Sequence, residues 1–116
     1  MSTITPNTRL CTLINVFTVA PERQQELVDT LVAATEQVIR TLPGFVSANI
    51  HKSIDGVRVT NYAQWENPTA LEAMLKNPEA SKHLNKCREL AEHIDFHLYT
   101  VEHCSTGVIN HAPTAM

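Results

Sequence analysis

Phe45-Val46-Ser47-Ala48-Asn49-Ile50-His51-Lys52-Ser53-Ile54-Asp55-Gly56-Val57-Arg58-Val59-Thr60-Asn61-Tyr62-Ala63-Gln64-Trp65 reads as two β-strands folded about a tight turn. Asp55-Gly56 is a strong hairpin dipeptide, because both central positions of a type I′ turn need positive φ. With those two residues as the loop, Ile54 faces Val57, Ile50 faces Asn61, Ala48 faces Ala63 and Val46 faces Trp65. Side chains alternate across a strand. One face therefore carries Val46, Ala48, Ile50, Val57, Val59, Asn61, Ala63 and Trp65. The other carries Ser47, Asn49, His51, Arg58, Thr60, Tyr62 and Gln64. The first face is apolar and is expected to lie under helices.

The flanking segments supply those helices. Residues 10–19 are β-rich and apolar on both faces, which predicts a central, buried strand. Pro21 suits the first turn of a helix, where a missing N–H costs nothing. Leu27, Val28, Leu31, Val32, Ala34, Val38 and Ile39 recur at helical spacing to about residue 41, and Pro43-Gly44 stops that helix. Asn67-Pro68 and Asn77-Pro78 each read as an N-cap followed by proline. The first opens a short helix through Leu71, Met74 and Leu75. The second opens a longer one with Ala80, Leu84, Cys87, Ala91 and Ile94 along one stripe. Residues 95–102 read as a last strand. The order is βαββαβ, the split βαβ of the ferredoxin-like α+β class. Residues 10–103 form one domain, with an N-terminal extension at 1–9 and a small, polar tail at 104–116.

Composition narrows the function. Of 116 residues, 9 are Lys or Arg and 12 are Asp or Glu, a net charge of −3. Such a balance offers no basic surface for nucleic acid or an anionic membrane. No apolar run approaches the ~20 residues of a membrane span. Met1 to Arg9 has no apolar stretch of signal-peptide type, so a cytoplasmic protein is expected. Cys11, Cys87 and Cys104 are odd in number and widely spaced, which suits free thiols. His83 and Cys87 lie four apart on a helix, but Cys87 belongs to the core stripe. His93 and His97 straddle a helix–strand junction. Neither pair has a third ligand, so no metal site is expected. With only Gly44, Gly56 and Gly107, the chain has no Gly-rich phosphate loop.

Asn61 is the anomaly on the apolar face. Burying its carboxamide without partners costs roughly 1–3 kcal/mol. Asn15, in the middle of the first strand, is a second such residue on a neighbouring strand. Trp65 adds an indole N–H nearby. Polar groups set into an apolar wall describe a small-molecule pocket. Its expected walls are Leu13, Phe17, Ile50 and Ala63 from the sheet, and Leu71, Met74 and Leu84 from the helices.

Leu13-Ile14-Asn15-Val16-Phe17-Thr18-Val19, then Pro43-Gly44-Phe45, then Asn61-Tyr62-Ala63-Gln64-Trp65, resembles the antibiotic biosynthesis monooxygenase family over about residues 9–103. The likeness is nearest to the anthrone monooxygenases of actinorhodin and nogalamycin type. The resemblance implies a homodimeric α+β barrel and oxidation of an anthrone- or hydroquinone-like polycyclic substrate to a quinone by O₂, with no cofactor. It implies catalytic roles for Asn15, Asn61, Trp65 and Arg88. Where the actinorhodin-type enzyme has a tyrosine on the short helix, this chain has Leu71. Two other readings stand beside this one. Relatives with this fold degrade haem through a histidine on the helical segment near His83. Others act as quinol oxidases or small-ligand binders with no polyketide role.

Overall fold

The computed structural model describes residue 4 and residues 10–108. Four strands form one antiparallel sheet: β1 (Cys11–Thr18), β2 (Phe45–Lys52), β3 (Arg58–Trp65) and β4 (His93–Tyr99), in the spatial order β2-β3-β1-β4. Three helices cover one face: α1 (Gln24–Gln37), α2 (Pro68–Leu75) and α3 (Pro78–Leu90). This is the expected ferredoxin-like α+β order. β1 and β3, the two most buried strands, pair at the centre. The expected extension at 1–9 lies outside the described residues except for Ile4. The expected tail lies outside them from residue 109 onward, and residues 104–108 carry no regular structure.

Local chemistry explains the boundaries. Asn67 Oδ1 accepts the Ala70 N–H at 2.8 Å, and Asn77 Oδ1 accepts those of Glu79 and Ala80 at 2.9 and 3.0 Å. Pro68 and Pro78 follow as first helical residues. The first helix is less regular than its periodicity predicts. Pro21–Arg23 and Ile39–Thr41 are 3₁₀ turns flanking α1. Gly44 then has φ +85°, and a side chain there would put its Cβ 2.4 Å from Ala70 Cβ. The glycine is needed both for its backbone and for the close approach of α2.

The hairpin keeps its register but not its turn. Ile50 pairs with Asn61 and Ala48 with Ala63, as expected. The loop is four residues, not two: the Ser53 N–H donates to the Arg58 carbonyl at 2.9 Å. Inside it, the Gly56 N–H donates to Ser53 O at 3.1 Å, and Gly56 takes φ +85°. The Asp55 carboxylate accepts from Ser53 Oγ, the Val57 N–H and Arg58 Nη1. These bonds hold its pKa below the ordinary carboxylate value. Gln24 Nε2 donates to Ser53 O and Arg58 O, both at 3.0 Å, and ties the hairpin base to α1.

At the far end of the hairpin a β-bulge between Phe45 and Ser47 breaks the expected pairing. Phe45, not Val46, faces Trp65. One extra residue in a strand reverses which side chain points inward. Val46 is accordingly 43% exposed. The Phe45 and Trp65 rings meet edge to face, centroids 5.4 Å apart and planes at 86°.

Candidate functional site in the layer between sheet and helices

Pairing across the sheet sets the inner surface in rows. Ile50, Asn61, Asn15 and Phe96 form one row, and Ala48, Ala63, Leu13 and Leu98 the next. Ala48 and Ala63 stand side by side with only methyl groups to offer. The helices cannot close onto so low a surface, and a cavity of about 350 Å³ remains above it. Its floor includes Leu13, Asn15, Phe17, Asn61, Ala63 and Trp65. Leu31, Thr35 and Ile39 of the α1 region form one side of its roof. Met74 and Leu75 of α2, with Leu84, Cys87 and Arg88 of α3, form the other.

Asn15, Asn61, Trp65 and Arg88 thus meet around one space. So do Leu13, Phe17, Ala63, Met74 and Leu84 from the expected walls. Two expected wall residues do not reach it. Ile50 shares the row of Asn61 but packs beside the lower core of Phe17, Leu27, Leu31 and Val59. Leu71 is 1% exposed and points into the upper core with Ile39 and Trp65. On α2 the cavity instead meets Met74 and Leu75, three and four residues on, as helical geometry allows.

Sequence reasoning missed several lining residues. Phe45 reaches the cavity only through the bulge, which no hairpin signal announces. Thr35 comes from the flank of α1, with its hydroxyl bonded to Leu31 O at 2.8 Å. Ile94 and Phe96 belong to β4, which begins at His93 and not at residue 95. Cys87 was visible as a core residue, and its helical offset from Leu84 is a signal that both reach one space.

The polar groups are few and unusual. Asn15 is 9% exposed. Its Oδ1 and that of Asn61 are both shut away from water and have no hydrogen-bond partner. The two residues are direct cross-strand partners. Two such oxygens in one apolar wall are far from the native norm of paired polar groups. Burial pushes the Cys87 thiol up to about 11, against the pull of the neighbouring Arg88 charge. Arg88 is exposed and bonds Asn85 through its guanidinium. Together with Phe96, 37% exposed on the edge strand, it marks the open side of the cavity.

Among the lining residues there is no histidine, aspartate or glutamate. His83 is half-buried on α3 but off the lining. A haem in this cavity would find no imidazole, only the Met74 thioether and a thiol held protonated, so the lining lacks the histidine ligand on which the haem reading rests. Among the described residues, no group of three or more His, Cys, Asp or Glu is placed to hold a metal ion. None of the described helices is long and apolar enough to cross a membrane.

A ferredoxin-like sheet with a hydrophobic cavity and a few fixed polar groups describes a small-molecule site. The model of the family "Antibiotic biosynthesis monooxygenase" matches residues 11–86, and the chain belongs to that family. It is a monooxygenase by class. It is 50% identical over 91 residues to the tetracenomycin-F1 monooxygenase of Streptomyces glaucescens, covering 78% of this chain and 81% of the relative. The crystal structure of an ActVA-Orf6 monooxygenase of Streptomyces coelicolor, in complex with nanaomycin D, superposes with a TM-score of 0.77. It has 27% identity and covers 86% of this chain and 95% of that one. SnoaB of Streptomyces nogalater, described as a cofactor-independent oxygenase, shares the fold with a TM-score of 0.69 at 22% identity, covering 90% and 100%.

Proposed function

We propose that the protein is a cofactor-independent polyketide monooxygenase that oxidises a polycyclic anthrone-like substrate to a quinone with O₂. The observation that carries this reading is the Asn15–Asn61 pair: two buried, unpartnered amide oxygens in the floor of an apolar cavity. A flat aromatic fills the apolar space above the Asn15 and Asn61 carboxamides. The amide N–H groups and the Trp65 indole N–H serve the developing anion. The 50% identity to a tetracenomycin-F1 monooxygenase supports an aromatic polyketide as substrate class.

The chemistry needs little from the protein. The anthrone CH₂ loses a proton to give an electron-rich enolate. One electron passes to O₂, and the substrate radical and superoxide combine into a C–O bond. Protonation gives a hydroperoxide, which loses water to leave C=O. One O₂ is consumed, one oxygen enters the substrate and the other leaves as water. Fixed donors aimed at the enolate oxygen lower the cost of forming it. Excluding water strengthens those interactions. Arg88, at the open side, stabilises the anion or screens entry.

A homodimer is part of the same reading. On the sheet face away from the helices, Ile14, Val16 and Tyr62 are half-buried in the single chain and offer apolar area to a partner sheet. The deciding experiment is oxygen uptake with a panel of anthrones and hydroquinones in chelator-treated buffer. Stoichiometric uptake with quinone formation is expected. No uptake with any member of the panel overturns the proposal.

A further inference from the structure

We propose that Phe45 is the end wall of the cavity and sets how many fused rings the substrate carries; the proposal rests on the oxygenase reading above. The cavity spans the sheet. Phe96 on edge strand β4 lines one side, and Phe45 on edge strand β2 lines the other. Four strands at about 4.8 Å spacing separate those edges by roughly 14 Å. Beyond Phe45, a second cleft of about 230 Å³ runs between α1 and β2. Thr35, Phe45 and Ala48 belong to the walls of both spaces. The partition is therefore one layer of side chains thick.

Phe45 supplies most of that layer. Ala48 has only a methyl group. Thr35 is tied to its own helix through the Leu31 carbonyl. The phenyl ring is held in place by the bulge beneath it and by its edge-to-face contact with Trp65. A ring system entering beside Arg88 and Phe96 stops at this ring. Removing it joins the cavity to the cleft and lengthens the space along the ring axis.

The test compares a three-ring anthrone with a linear four-ring naphthacenone. Wild type, Phe45→Ala, Phe45→Leu and Ala48→Val are compared, with Val46→Ala as the off-cavity control. Two quantities are read for each: kcat/KM by oxygen uptake, and Kd by quenching of Trp65, the chain's sole tryptophan. Phe45→Ala is expected to raise the four-ring to three-ring ratio by about tenfold or more, since even one methylene moves selectivity that far. Phe45→Leu should raise it less, Ala48→Val should lower it, and Val46→Ala should leave it unchanged. If Phe45→Ala does not fold, the Leu and Val variants must still move the ratio in opposite directions. Equal losses for both substrates in the Phe45 variants overturn the proposal and leave Phe45 a packing residue. Wild-type protein that consumes no O₂ with these two substrates or with any member of the panel above refutes the oxygenase reading, and the quenching ratio then decides the role of Phe45 alone. No quenching by either substrate refutes both.

Discussion

Replacing Asn15 or Asn61 with leucine should make the protein more stable and nearly inactive. Leucine has the branching of asparagine at Cγ but no polar atoms. Each orphaned oxygen costs about 1–3 kcal/mol, the desolvation penalty of an unpaired polar group. Leucine removes that cost, and the cavity beside both positions has room for its methyl groups. A central value of about 2 kcal/mol per site follows. A domain of this size gains about 3–6 °C in Tm per kcal/mol, so each variant should melt on the order of 10 °C higher. The double variant should gain less than the sum, because the residues are cross-strand partners and share one environment. Turnover should fall by about 10²–10³, the usual cost of losing one fixed polar group from an anion-stabilising site. Calorimetry and oxygen uptake on the same samples read both signs. A lower Tm in both single variants would mean that the amides hold the sheet together, and the reasoning from orphaned oxygens would fail.

Three further outcomes are expected. Trp65→Phe keeps an aromatic ring against Phe45 but removes the indole N–H. Turnover should drop by about tenfold or more while the far-UV circular dichroism stays unchanged, and unchanged turnover would remove Trp65 from the site. Gly44→Ala should destabilise by about 2 kcal/mol or more, because the new Cβ meets Ala70 Cβ at 2.4 Å at a positive φ; urea unfolding measures it. Folding raises the Cys87 pKa from 9.0 to about 11, so the folded state holds its proton more tightly. The stability this confers is complete below pH 9 and is lost as pH rises from 9 to 11. Cys87→Ala should flatten that part of the stability–pH curve.

The hairpin shows how much the sequence carries and where it stops. The register of Ile50 with Asn61 follows from hydrophobic alternation, because a slip by one residue would turn Val59, Ala63 and Trp65 to solvent. The turn that sets it is two residues longer than the dipeptide predicts. Asp55-Gly56 promotes both two-residue and longer loops, and the choice rests on Ser53, whose backbone and side chain both bond Arg58. The bulge at Phe45 has no local signal. It directly follows Gly44, which lies close against Ala70 of α2. Likewise, Asn15, Asn61 and Trp65 were legible as polar groups on an apolar face. Leu71 falls in the core and not on the cavity wall, because helical periodicity gives the buried stripe of α2, not which part of the stripe meets core and which meets cavity. That division depends on Ala48 and Ala63 across the layer gap.

The position of Leu71 bears on proton transfer. Because Leu71 lies in the core and off the cavity wall, the leucine there leaves no gap in the lining where a phenol would have stood. The lining has no carboxylate or imidazole. Its one thiol is protonated until about pH 11, and a guanidinium offers no acceptor. No residue of the wall is therefore poised near neutral pH as a general base. Under the proposed function, the substrate therefore loses its proton to solvent because it is itself acidic, and amide and indole N–H groups hold the anion. The pH dependence of kcat/KM should then follow the ionisation of the free substrate. Two anthrones of different acidity should give rate profiles whose inflections are offset by the difference in their own pKa values. The same inflection for both would assign the titration to the protein. A base would then have to come from outside the lining of the single chain.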